Sequence, residues 1–353
     1  AELVGKVLPE TGPSRAEIYG LLEYPPDGDL GDLALPCFKL SKSLKKAPPL
    51  IAEELQSQIV PSPYFREVKA AGPYLNFRVA PVPLVTAVLN KILECGLIYG
   101  ARTLGAGQTI VIDFSAPNIA KPFHVGHLSS TVLGNSLAKI FNFLGYDTVG
   151  INHLGDWGTQ FGKLITAYKK WGSAQEVKKG SIKELMRLYV KFHTEAEQDL
   201  ALEDEARDWF RKIENGDQEA LELWKWFKEI SLEEFQRAYD LLDITFQSWA
   251  GESFYNDKIG AVVEELTEKR LLTESEGATI VDLDPYGMPP CLILKKDGSS
   301  LYATRDIAAA LYRKKTYQFA KALYVTGIAQ SLHFQQWFKV VEMMGYDWAK
   351  DLV

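Results

Sequence analysis

The chain has 353 residues, 46% hydrophobic and 24% charged. This globular composition excludes a disordered or fibrous protein and, at roughly 150 residues per domain, predicts two or three units. The formal net charge is −7, so any contact with nucleic acid must come from local basic patches, because the field of the whole molecule has the wrong sign. No apolar run reads as approaching the roughly 18 residues of a membrane span, and the opening AELVGKVLPETGPSR lacks a secretory pattern. Cys37, Cys95 and Cys291 are scattered and odd in number, which argues against a disulfide framework and fits a reducing cytoplasm.

Residues 1–106 hold eleven Lys/Arg and eleven Asp/Glu, so residues 107–353 carry the whole −7. The shift coincides with a Gly-rich stretch at 100–107, read as the boundary between an N-terminal α+β domain (1–106) and a second domain (107–353). In the first, 50–59 has apolar residues at helical spacing, and 74–79 alternates like a strand. Lys39, Lys42, Lys45 and Lys46 form a basic patch, either a phosphate contact or a solvated helix face. Beyond the hinge, 109–114 is a nearly continuous apolar strand, as in a parallel sheet covered on both faces. A polar loop at 115–118, a helix from about 122 to 143 and a strand at 147–152 follow, the opening of a doubly wound α/β domain. Residues 163–242 read as a charged helical insertion and 255–300 as a small β-containing insertion. Strand and helix resume at 322–326 and 332–344.

Four polar constellations fall near predicted strand ends. The first runs from Asp113 to His127 and joins a strand end to a helix start, where free backbone N–H groups and the positive end of the helix dipole suit phosphate. His124 and His127 share one helical face, Gly126 between them leaves room for a flat base, and Lys121 adds a cation. The pair alone is a weak signal and is equally compatible with a structural role. A zinc site would need a third ligand such as His153, which no Cys or HExxH pattern supports, so no metal ligands are assigned. The second is NHLGDWGTQFG at 152–162, a tight pocket wall or an ordinary turn with Asp156 as helix cap. The third is YATRD at 302–306, where Tyr302 and Asp306 share a face. The fourth is QSLHFQQ at 330–336.

Together, SAPNIAKPFHVGH (115–127), NHLGDWGTQFG, YATRD and QSLHFQQ, in this order, resemble the arginyl-tRNA synthetases among the class I aminoacyl-tRNA synthetases. GDLALPCFKLSKSLKKAPPLIAEEL (31–55) is similar to that family's extra N-terminal domain. The resemblance implies a Rossmann-type catalytic domain and a cytoplasmic, monomeric enzyme without membrane contact. Such an enzyme activates L-arginine with ATP and Mg2+, then transfers it to tRNA(Arg), often needing tRNA for activation. It implies that His124, His127 and Lys121 stabilise the phosphates in catalysis, with Gly126 in the ATP site. Asn118 and His153 would place the amino acid. Asp113, Tyr302, Asp306 and Gln330 would recognise the guanidinium, and the four lysines would touch tRNA. A guanidinium is always charged and carries five donors, so a selective pocket needs paired carboxylates and neutral acceptors, which suits Asp113 with Asp306. Gln247 stands where the family pattern leads to an expected Asp. The KMSKS-like loop and the anticodon-binding domain of the family lie beyond the matching region, which implies a fragment. The competing reading is a non-catalytic arginine or nucleotide sensor, and a more distant one is another nucleotidyl transferase.

Overall fold

A computed structural model describes residues 1–9, 12–60, 62–296 and 298–353, which divide into two compact units, Ala1–Gly100 and Ala101–Val353. In the first unit come helices α1 (Glu2–Gly5) and α2 (Arg15–Leu21), strand β1 (Leu33–Pro36), helices α3 (Ser41–Leu44) and α4 (Pro48–Gln58), strands β2 (Phe65–Ala71) and β3 (Tyr74–Val79), and helix α5 (Pro81–Cys95). Ser14 and Glu17 form a reciprocal cap on α2, and Pro48 opens α4, where a missing N–H costs nothing. The strands form an antiparallel sheet in the order β1-β3-β2. Its apolar face (Leu35, Leu75 and Phe77) packs with Ile51, Ala52 and Leu55 of α4.

Helix α5 corrects one expectation. Residues 81–98 have a mean hydropathy of 1.4 and are long and apolar enough to cross a membrane by length and composition. Asn90, Lys91 and Glu94 interrupt the run, which is why it does not read as one from the sequence. No residue of α5 is buried.

In the second unit, β4 (Thr109–Asp113) lies between β5 (Asp147–Ile151) and β9 (Lys321–Tyr324) in a parallel sheet, with α6 (Val125–Phe143) crossing from β4 to β5. The β4 side chains alternate between two cores. Ile110, Ile112 and Phe114 enter a cluster built largely from helices α7 (Thr159–Trp171), α8 (Ala174–Gly180), α9 (Ile182–Ala196), α10 (Ala201–Glu214) and α11 (Gln218–Leu242). Val111 and Ile151 enter the opposite cluster, with α12 (Ile259–Glu268), α13 (Tyr302–Tyr317) and α14 (Ser331–Met343). A small antiparallel sheet, β6 (Leu272–Ser275), β7 (Ala278–Val281) and β8 (Cys291–Leu294), precedes α13. Coverage on both faces explains why 109–114 is apolar but for Thr109 and Asp113. The alternation also sends Asp113 to the same face as Val111, towards α13, and that decides its partner.

Candidate active site

The loop leaving β4 is strained and tightly held. Ser115, Ala116 and Ala120 have φ of 74°, 45° and 62°, left-handed values that are costly for residues with a Cβ. A buried network compensates. The Ser115 hydroxyl lies 2.7 Å from that of Tyr239 and accepts from Thr131 at 2.7 Å. Asn152 Nδ2 donates to Tyr239 at 3.0 Å, and Asn152 Oδ1 accepts the Ala116 N–H at 3.2 Å. Ser231 accepts from the Ala120 N–H at 3.0 Å. Thus Asn152, which sequence reasoning left inside a motif without a role, fixes the loop. Asn118 pairs with Gly155 across a parallel bridge, and a Cβ on Gly155 would lie 2.2 Å from Asn118 Oδ1. That approach is one place where glycine is required.

His124 caps α6 and His127 lies one turn on, their rings stacked with centroids 3.8 Å apart. His124 Nδ1 accepts the Gly126 N–H at 3.1 Å, and His127 Nδ1 accepts the His124 N–H at 3.3 Å. An imidazole nitrogen that accepts carries no proton, so each neutral ring bears its hydrogen on Nε2. Burial, followed by the nearby charges of His124 and Lys121, pushes His127 down to about 4, so it stays neutral at pH 7. His124 is exposed and His127 half-buried, so the pair presents two Nε2–H donors at the surface. A Cβ on Gly126 would lie 2.9 Å from His124 Cε1, so the capping imidazole itself favours glycine there.

Asp156 is not a helix cap: Gly158 occupies that position on α7. Its buried carboxylate instead accepts from Lys228 at 2.5 Å and from the Ser253 backbone and hydroxyl, each at 2.8 Å. His153 Nδ1 lies 3.2 Å from the Ala250 carbonyl. A carbonyl only accepts, so that nitrogen holds the proton and Nε2 is left as an acceptor. Gln247 receives the Gly150 N–H at 2.7 Å, a purely local tie.

Asp113 is already engaged within the chain. Its Oδ2 lies 2.8 Å from Nη1 of the buried Arg313 on α13. Asp113 thus neutralises an arginine of the chain itself, while its charge and that of Asp306 both act on Tyr324. Asp306, on α13, is partly buried, and its Oδ2 is 2.6 Å from His333 Nε2 on α14. Charge also couples it to Glu252, which sequence reasoning missed. Glu252 Oε2 is buried without a hydrogen-bond partner, 3.9 Å from Arg305 Nη1. Burial foremost, then the charges of Asp306 and Asp156 against the opposing pull of Arg305, raise its carboxyl to about 8. No motif marks Glu252; its signal is a lone acid between Gly251 and Ser253. Tyr302, one turn before Asp306, is exposed, and Gln330 precedes α14.

On the N-terminal unit, Lys46 is engaged by Glu54 at 2.6 Å and Lys39 lies 3.9 Å from Glu23. Lys42 and Lys45 form no ion pair among the described residues, which also hold no group of three or more His, Cys, Asp or Glu side chains that could bind a metal. The three cysteines are free thiols.

A parallel sheet with a histidine-capped helix leaving its central strand defines the class I aminoacyl-tRNA synthetase catalytic fold. Profile comparison matches "tRNA synthetases class I (R), catalytic domain" over residues 88–353 and "Arginyl tRNA synthetase N terminal domain" over 1–79. The chain belongs to the arginyl-tRNA synthetase family. It is 57% identical to an arginine–tRNA ligase of Alkaliphilus metalliredigens, covering 100% of this chain and 62% of that one. It is 58% identical to that of Clostridioides difficile, covering 96% and 60%. The chain thus spans about three-fifths of the length of these relatives. The arginyl-tRNA synthetase structure of Plasmodium falciparum superposes with a TM-score of 0.67 at 26% identity, over 94% of this chain and 59% of that one.

Proposed function

We propose that the protein activates L-arginine with ATP and transfers it to tRNA(Arg), with recognition centred on Asp306 and Glu252. The observation that carries this reading is the Glu252–Asp306 pair: two neighbouring carboxylates, one of them buried with an unsatisfied oxygen, in a unit whose ATP-binding signature lies on α6. A buried carboxyl raised to about 8 is protonated when the pocket is empty and becomes favourable as a carboxylate only when a cation arrives. A guanidinium is that cation, permanently charged and rich in donors. Asn118 and the His153 Nε2 acceptor are assigned to the α-amino end, and Tyr302 and Gln330 to the rim around the guanidinium. An analogue lacking the donors leaves Glu252 protonated and gains no charge-assisted contact, which disfavours neutral side chains without an editing step.

His124 and His127 donate their Nε2–H groups to the phosphates as the arginine carboxylate attacks and pyrophosphate leaves, and Lys121 adds a positive charge beside them. Mg2+ would travel with the phosphates, supplying charge neutralisation, because the described residues offer no ligand cage of their own. Lys42 and Lys45 are the free cations we assign to tRNA phosphates. The test is arginine-dependent pyrophosphate exchange with tRNA(Arg) present, on the chain extended to the relatives' length. Exchange lost in His124→Ala and weakened in Asp306→Asn supports the proposal. Tight arginine binding with no exchange under any condition returns the sensor reading.

A further inference from the structure

The pair formed by Asp306 and His333 has a role of its own. His333 lies in the first turn of α14, and its Nε2 is 2.6 Å from Asp306 Oδ2. Among the described residues it is the side chain that holds this carboxylate, and Oδ1 accepts no hydrogen bond. Both side chains are partly open to solvent, so neither is locked in by burial alone. An Asp has two rotatable bonds, and a fork-shaped guanidinium needs its carboxylate in one orientation. The imidazole supplies that constraint from a different helix.

We propose that His333 is the positioning residue of the arginine pocket, holding Asp306 through Oδ2 so that Oδ1 meets the substrate, and that arginine binds when this imidazole is neutral. The proposal rests on the reading of Asp306 given above. A neutral ring donates Nε2–H to Oδ2 and leaves the carboxylate charge available. A protonated ring makes the same hydrogen bond but cancels that charge and sets a second cation against the guanidinium. Proton and arginine therefore compete, and with one linked proton the affinity changes by up to about tenfold per pH unit.

The other groups facing the pair separate cleanly from this effect. The charge of Asp306 acts on Glu252, on Cys291 of β8 and on Tyr324 of β9, and Arg305 lies 3.9 Å from Glu252. Cys291 is pushed up to about 12, mainly by burial, and Tyr324 is raised by the same cause. Glu252 is raised to about 8, mainly by burial, so its own ionisation enters a pH series separately. Arginine affinity should accordingly rise with pH in two limbs, an acid limb from His333 and an upper limb from Glu252.

The experiment is calorimetric titration of L-arginine into the chain across about pH 5.5 to 9, for wild type, His333→Gln and His333→Ala. Glutamine retains an N–H donor but cannot titrate. The proposal predicts that H333Q flattens the acid limb, keeps the Glu252 limb and binds within about threefold of wild type at pH 8, whereas H333A loses about tenfold there. An unchanged acid limb in H333Q, or wild-type affinity of H333A at pH 8, overturns it while leaving the arginine pocket standing. Absence of arginine binding by wild type at every pH overturns the pocket itself, and this inference with it.

Discussion

The loop after β4 and the acidic cluster around α13 are built on opposite principles. The first is local: Ser115 to His127 is one contiguous segment, and its strain, its capping histidines and its exposed Nε2–H donors all follow from that segment docking on α11. The second is assembled from Glu252, Asp306 and His333, which come from three separate stretches of chain and meet only after the sheet and its helices have packed. A contiguous site fails sharply when its own residues change, or when Tyr239, Asn152 or Ser231, which hold it, are replaced. An assembled site depends on the framework, and the framework here rests on the buried ion pair between β4 and α13.

The largest effect should come from that framework. Arg313→Met leaves Asp113 without its partner and is expected to cost about 3–5 kcal/mol of stability, read by thermal or urea unfolding. The double variant Asp113→Asn with Arg313→Met should recover much of the loss, and failure to recover would mean that Arg313 matters through Tyr255 or Tyr324 instead. Next, His124→Ala or His127→Ala should lower pyrophosphate exchange by about 10²–10³ while arginine affinity stays near wild type, which would separate the two regions functionally. A parallel collapse of arginine binding would show that they are one cooperative unit. Asp306→Asn should weaken arginine by about thirtyfold, with a smaller effect on folding.

Smaller effects carry signs. His127 is held below its ordinary value, so the unfolded chain takes up a proton that the folded chain refuses. Stability from this group is lost as pH falls from about 6.5 towards 4, and His127→Asn should shallow that slope in acid-unfolding curves. Glu252 is raised, so its contribution is full below about 4.5 and is lost as pH rises through about 8. Glu252→Gln should make the protein relatively more stable at pH 9. Replacing Lys42 and Lys45 by Glu should weaken tRNA binding mildly and lessen its salt dependence, as expected of contacts to phosphate alone.

The contrast also explains what could be read from the sequence. The parallel strand at 109–114, the crossing helix and the histidine signature were legible because each is a short-range pattern: apolar continuity, a cap, a spacing of three. The resemblance to the arginyl-tRNA synthetases brought Tyr302, Asp306 and Gln330 into view for the same reason, as contiguous motifs. The partner of Asp113 was not legible, because it depends on which face of β4 Asp113 occupies and on Arg313, two hundred positions away in chain order. Glu252 was invisible because its signal is burial without a hydrogen-bond partner, a property that exists only in three dimensions. His333 stood inside a quoted motif, yet nothing along the chain said that its ring would reach Asp306. In α5, charged residues hid a helix that is apolar on average.

Proton release on arginine binding examines the Glu252–Asp306 clasp most directly. Titrations at pH 7 in two buffers of different ionisation enthalpy count the protons exchanged. The protonated Glu252 of the empty pocket should give up its proton to become the carboxylate that faces the guanidinium, a release of up to about one proton that disappears in Glu252→Gln. Arginine bound at full strength with the same proton count in wild type and Glu252→Gln would contradict the account.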